Sequence, residues 1–320
     1  MLQQTQVKTV IPYWERWMRE LPAVQALATA RIDRVLKLWE GLGYYSRARN
    51  AQKAAKVIVE KYRGDFPKSF DELIDLPGIG RYTAGAICSI AFNQPAPVLD
   101  GNVARVLTRL FAIRSDPAEG RTKERLWKLA ESFVLAANGH RPNGERSCAD
   151  LNQALMELGA MICTPANPNC RACPVQRNCR AFQQRCVDRI PAGGARPEPT
   201  ARRFVALVAE QKGRFFVRRR PTGVVNSGLW EFPNAEVNDK APERLLQKLV
   251  SLRFAKPAPF CTIKHTITRY RITLDVFQAS VSAASESEEG TWRTLDQLHR
   301  LAFSSAHKRI VEKLDQRAFV

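Results

Sequence analysis

At 320 residues the chain is long enough for about two domains, and a make-up of 45% hydrophobic and 25% charged residues excludes a disordered or fibrous protein. Lys and Arg number 50 against 31 Asp and Glu, giving a net charge of +19 and a pI near 10.0; such a balance points to a polyanion partner, nucleic acid before an anionic membrane surface. The longest weakly polar stretch, Tyr82 to Leu99, is broken by Asn93, Gln94, Pro95 and Pro97 and cannot span a bilayer. Lys8, Glu15 and Arg16 break any leader pattern, so the chain reads as cytoplasmic, where its eight cysteines are metal ligands or buried thiols before they are disulfides.

Residues 1 to about 162 read as helical. Apolar residues recur at helical spacing in Val7, Val10, Ile11, Trp14 and Met18, in Val35, Leu38 and Trp39, and in Ala54, Ala55, Ile58 and Val59, with Gly and Pro marking the breaks. Leu76-Pro77-Gly78-Ile79-Gly80 lies between two helical patterns; its glycines allow a tight turn whose outward backbone N–H groups suit a DNA phosphate, as in a helix-hairpin-helix element. Val98-Leu-Asp-Gly-Asn-Val103 then opens the next helix with Asp100 at the N-cap, where a carboxylate stays ionised and can face a cationic sugar.

Cys163, Cys170, Cys173 and Cys179 follow as C-x6-C-x2-C-x5-C. Their convergence on one centre admits structural zinc or an iron–sulfur cluster holding a basic loop in shape. Cys88, Cys148, Cys186 and Cys261 lack ligand spacing. Pro191 to Pro199 reads as a linker. Beyond it Phe204–Val208, Phe215–Val217, Leu229–Phe232 and Tyr270–Phe277 read as strands, and Glu243–Leu252 and Ala306–Leu314 as helices, so the second domain is α+β.

Taken together, the hairpin, the L-D-G-N-V string and the cysteine spacing resemble the endonuclease III superfamily of DNA glycosylases. Met1-Leu-Gln-Gln-Thr-Gln-Val7 and Gly41-Leu-Gly-Tyr-Tyr-Ser-Arg47 narrow the resemblance to the MutY family, which removes adenine mispaired with 8-oxoguanine. It implies a mostly α-helical helix-hairpin-helix glycosylase domain over 1–180, with a [4Fe–4S] cluster on Cys163, Cys170, Cys173 and Cys179 in the loop 163–179. A linker over 181–203 and an α+β Nudix-like lesion-recognition domain over 204–320 would follow. Asp100 matches the catalytic aspartate and Asn102 the asparagine beside it. Tyr82 falls where bifunctional relatives carry a Schiff-base lysine; a phenol cannot supply that amine, so a hydrolase is expected over a lyase. Gln3, Gln4 and Tyr44 match residues that wedge into the base stack. Gly78 and Gly80 match the phosphate-binding hairpin, and Asn152 and Gln153 line the adenine pocket.

In the second domain, Ala241 to Lys248 lacks the paired carboxylates of a working Nudix hydrolase, so binding rather than hydrolysis is expected. Ile267-Thr268-Arg269 falls where the family reads 8-oxoguanine; Thr268 keeps a hydroxyl, while His265 reads as structural. The resemblance places the family's acid, a glutamate, two residues ahead of Met1, so residues 1–320 alone are expected to bind an adenine·8-oxoguanine duplex but to excise adenine slowly or not at all. The alternatives are a mismatch-binding protein without catalysis and an endonuclease III-type glycosylase/lyase. The implied partner is double-stranded DNA with adenine mispairs, bound by a monomer at the nucleoid.

Overall fold

The computed structural model describes residues 1–3, 5–140, 147–193, 198–237, 245–250, 252–267, 269–281 and 290–318. Among the described residues ten helices come first: α1 (Val7–Glu20), α2 (Val24–Thr29), α3 (Ile32–Trp39), α4 (Ser46–Tyr62), α5 (Phe70–Ile74), α6 (Arg81–Ala86), α7 (Gly101–Leu110), α8 (Gly120–His140), α9 (Ser147–Glu157) and α10 (Arg180–Gln183). α6 and α9 each run on into a wider π turn, Ile87–Ala91 and Leu158–Ile162. The strands are β1 (Thr200–Gln211), β2 (Arg214–Arg219), β3 (Trp230–Glu231), β4 (Asn234–Glu236), β5 (Ala258–Ile267), β6 (Tyr270–Ser280) and β7 (Thr291–Thr294), followed by α11 (Leu295–His299) and α12 (Ser305–Ala318). No helix among the described residues is long and apolar enough to cross a membrane.

The chain divides into two compact units, Met1–Glu60 with Pro197–Val320, and Lys61–Arg196. Packing therefore joins the first sixty residues to the C-terminal sheet, whereas the sequence groups 1–180 together. The physical reason is a shared core: Val10, Trp17, Val35, Leu36 and Trp39 pack in one cluster with Leu229 and Ala302. Polar contacts fix the register. The buried Glu40 carboxylate accepts from Phe303 N at 2.8 Å and holds Lys37 at 2.7 Å. Tyr45 Oη donates to Phe303 O at 3.2 Å, and Arg219 grips Asp33 at 2.6 Å. α1 also turns a different face inward from the one its first apolar residues mark. Val10 and Trp17 are buried, while Val7, Ile11, Trp14 and Met18 form a second stripe that is exposed.

In this unit the sheet order is β3-β2-β1-β6-β5, with β4 on β1 and β7 on β2, and only β1 and β6 run parallel. Side chains alternate across it. Ala206, Val208, Leu274, Val276 and Ile263 face α11 and α12; Val205, Leu207 and Ala209 face Leu246, Leu249 and Val250. His307 on α12 accepts from Phe232 N through Nδ1 at 3.2 Å, and complete burial, then Arg220, push its pKa down to about 3, so it stays neutral. Of the expected helix Glu243–Leu252, residues 245–246 are helical and 247–248 turn, while 243, 244 and 251 lie outside the described residues. β5 occupies a stretch in which the sequence pattern marks no strand.

The second unit centres on Val103, Leu107, Ile113, Leu126 and Ala130 of α7, α8 and the turn between them. The expected linker 181–203 is largely structured. Arg180–Gln183 is helical, Ala181, Cys186 and Ile190 form their own buried cluster, and β1 starts at Thr200. Three small or aliphatic side chains suffice to fold this stretch down, since burying each removes apolar surface from water.

Glu40→Ala is expected to cost about 1.5–3 kcal/mol in urea unfolding, because Phe303 N–H and Lys37 lose a buried charged acceptor; a variant within 0.5 kcal/mol (roughly the scatter of a neutral surface change) would remove Glu40 as a tie.

Candidate functional site

Most of the chemistry read from the sequence falls in Lys61–Arg196. The hairpin forms as expected: α5 ends, buried Leu76 anchors the turn, and Ile79 N donates back to Leu76 O at 3.0 Å. Gly78 adopts φ +79°, the left-handed region that favours glycine. Gly80 is the N-cap of α6 and has no side chain to occupy the first N–H groups, which leaves them to solvent or to an anion.

Asp100 caps α7. Its Oδ1 accepts from Val103 N at 2.7 Å and its Oδ2 from Asn102 Nδ2 at 3.2 Å. Tyr82, half-buried on α6, lies near enough that Asp100 adds to burial in raising the phenol pKa; its hydroxyl meets Met156 Sδ at 3.7 Å. The Asn102 amide is oriented from the other side, because Arg105 Nη2 donates to Asn102 Oδ1 at 2.9 Å. Arg105 also reaches Gly159 O and Cys163 O, each at 2.7 Å. The approach is tight: a Cβ on Gly159 would stand 2.7 Å from Asn102 Cβ. Asn152 is buried and donates to Ala96 O at 2.9 Å, while Gln153 is exposed and folds back to Ala149 O at 3.2 Å.

One turn beyond Arg105, Arg109 is 2% exposed. It donates to Ile190 O and Thr164 O at 2.7 Å, to Pro165 O at 3.2 Å, and to Cys163 Sγ at 3.3 Å. Among the described residues no carboxylate pairs with it. A buried cation needs a counter-charge, and the groups beside it are thiols: Cys163, Cys170, Cys173 and Cys179 line one cavity together with Arg109. Burial raises the Cys170 and Cys173 thiols, and a metal group bound by the four sulfurs as thiolates would supply the anion Arg109 lacks. The donor set therefore fits such a group. Cys88, Cys148 and Cys186 are buried apart from this cavity, and Cys261 lies in β5.

Gln3 and Tyr44 belong to the other unit. Tyr44 is 53% exposed and held at φ +45°, strained for a residue with a Cβ. Arg47 supplies the constraint. Its guanidinium lies 5.4 Å from the Tyr44 ring and 5.3 Å from the Trp39 ring. It donates to Gln3 O, to Met1 O at 3.1 Å and to Leu42 O at 3.3 Å. One side chain thus fastens both segments that carry the expected wedge residues. Gln4 and Thr268 lie outside the described residues. His265 sits in β5, half-buried, its pKa lowered by burial and then by Arg309.

Sequence reasoning missed Arg47, Arg105 and Arg109. The last two were readable: arginines four apart behind an N-cap, one of them between buried valines, demand acceptors from another segment. Arg47 was not, because its partners are backbone carbonyls. Arg47→Ala is expected to speed amide hydrogen exchange across residues 41–45 while leaving α7 and α8 protected; unchanged exchange at Tyr44 would show that the loop holds its conformation without the cage.

The helical part matches the family model described as HhH-GPD superfamily base excision DNA repair protein over residues 1–132, and a NUDIX domain model matches residues 204–313. The adenine DNA glycosylase of Mus musculus is 36% identical over 366 residues, covering 97% of this chain and 69% of its own length. That of Homo sapiens is 36% identical over 97% of this chain and 66% of its own length. The adenine DNA glycosylase of Buchnera aphidicola subsp. Schizaphis graminum is 31% identical over 98% of this chain and 88% of its own length. The chain thus spans about two thirds of the mammalian proteins and most of the bacterial one, and it belongs to the adenine DNA glycosylase family.

Proposed function

We propose that the protein is a monofunctional DNA glycosylase of base excision repair, hydrolysing the N-glycosidic bond of adenine mispaired with 8-oxoguanine in double-stranded DNA. The observation that carries this reading is the Asp100 carboxylate, fixed by two hydrogen bonds at the start of α7 with Tyr82 beside it. Bond cleavage leaves positive charge on the sugar, and an ionised carboxylate held at a helix N-terminus stabilises that charge without reorganising. Asn102 positions the carboxylate. Tyr82 bears no amine, so water rather than a Schiff base takes the sugar. Residues 1–180 serve base excision, and residues 204–320 serve lesion reading through the β5–β6 hairpin. Gln3, Gln4 and Tyr44 fill the gap left by the flipped adenine, and Gln153 with Asn152 borders its pocket. The protein acts as a monomer on DNA in the cytoplasm.

A [4Fe–4S] cluster on Cys163, Cys170, Cys173 and Cys179 is the metal group that the family, the shared cavity and the unpaired Arg109 cation support. When bound it supplies a cross-link and a counter-charge, not chemistry on the sugar. The chain's own residues do the rest: Arg109 holds the first part of the loop to α7, and Arg105 passes the same anchorage to Asn102.

Adenine release is best measured under single turnover on a duplex that carries adenine opposite 8-oxoguanine. Asp100→Asn is expected to abolish release and to keep duplex binding, and borohydride is expected to trap no protein–DNA adduct. Trapping would convert the reading to a lyase; full activity in the variant would remove Asp100 from the chemistry. For the cofactor, Cys170→Ser is expected to lower iron content, visible absorption and duplex affinity together. Anaerobically purified protein with one zinc and no iron would contradict the cluster.

A further inference from the structure

Among the described residues, one end of one face of the C-terminal sheet is left uncovered. On that face Leu246, Leu249 and Val250 cover Val205, Leu207 and Ala209, and the described covering stops there. Beyond it the strands align in two cross-strand rows: Lys264 on β5, Thr273 on β6 and Arg203 on β1, then Thr266, Arg271 and Ala201. Strict alternation sets these six side chains on one side of the sheet. Lys264, Arg271, Arg203, Thr266 and Ala201 are exposed, and a shallow groove is lined by Arg203, Lys264, Thr273 and Asp275 together with Ala201, Arg202 and Val237.

Charge on this face is unbalanced. Asp275 is its one acid among the described residues, and both carboxylate oxygens are taken, one by Arg203 Nε at 2.7 Å and the other by Thr262 Oγ1 at 2.8 Å. Lys264 and Arg271 have no anionic partner among the described residues. They are diagonal neighbours on adjacent strands, at roughly 7–8 Å. Two cations beside threonine hydroxyls on an open face match the groups that bind phosphodiester oxygens. The face is also contiguous with the β5–β6 turn, three residues from Lys264.

We propose that this bare end of the sheet, centred on Lys264, Thr273 and Arg271, is a binding surface for the phosphodiester backbone of duplex DNA, on the strand that the β5–β6 turn approaches. The surface reads no base; it sets the register of the C-terminal domain on the duplex, and it rests on the reading that this chain binds DNA. Neutralising two phosphates contributes about 1.8 to the slope of log K against log salt.

The test is a salt titration of binding to an undamaged duplex, comparing the unaltered protein with the double variant Lys264→Ala/Arg271→Ala. The slope is expected to become shallower by about 1.8 with an unchanged melting temperature, and Lys264→Arg/Arg271→Lys is expected to restore it. Lys212→Ala/Arg214→Ala, at the far end of β1 from Thr200, removes the same charge and is expected to leave the slope as it was. The proposal falls if the first double variant runs parallel to the parent, or if the far-end control loses as much. Failure of the glycosylase reading would look different: the unaltered protein would show no preference for an adenine·8-oxoguanine mispair, while the slope difference persisted.

Discussion

The first turn of α7 is the constraint on which the proposed chemistry depends. Asp100 has two oxygens and both are engaged from the same helix, one by the N–H of Val103 and one by the amide of Asn102. The first bond fixes the carboxylate at the positive end of the helix dipole. The second works only if the amide presents its nitrogen to Asp100, and Arg105 ensures that, since a guanidinium can only donate and therefore claims the amide oxygen. The orientation of the proposed catalytic carboxylate thus follows from an arginine one turn along, and that arginine is itself held by Gly159 O and Cys163 O. Lengthening Gly159 by a methyl group would force apart the segments that make this possible.

Arg109 extends the same face into the cysteine loop. A fully buried guanidinium bonded only to carbonyls and a thiol is satisfied as a donor but not as a charge. The proposed metal-bound thiolates would resolve this and would make cofactor, loop and helix one electrostatic unit. The other compact unit is built on a similar economy of buried charge, with Glu40 joining α3 to the residues that lead into α12. There the ion pair lies beside a large apolar cluster and fixes register, while Leu229 and Ala302 supply the area buried. A protein whose sequence groups one way by chemistry and another way by packing results: residues 1–60 carry the proposed wedge side chains yet pack with the C-terminal sheet.

Much of this was legible in the sequence, and for identifiable reasons. The hairpin, the Asp100 N-cap and the cysteine loop are local, so their residue types and spacing carried the geometry. α1 shows the limit of periodicity: two apolar stripes run along one helix, and the sequence cannot say that Val10 and Trp17 rather than Ile11 and Trp14 turn inward. β5 was hidden because Pro257 precedes it and Pro259 lies within it, a bulge at Pro259–Cys261 shifts its phase, and its outer face is polar. The structured part of 181–203 was hidden by small side chains, Ala181 and Cys186, whose burial is decided by neighbours far along the chain. Contacts made by arginines to backbone carbonyls, as at Arg47, leave no pattern at all.

The central claim is that the Asp100 carboxylate serves as counter-charge to a cationic sugar. The most direct measurement is the affinity for a duplex in which a protonated pyrrolidine replaces the sugar of the target nucleotide opposite 8-oxoguanine, compared with a neutral tetrahydrofuran at the same place. Transition-state mimics gain at least about 10²-fold over ground-state ligands. The account predicts a gain of that order for the cationic ring in the unaltered protein and its loss in Asp100→Asn. Equal preference for the cation with and without the Asp100 charge would contradict it.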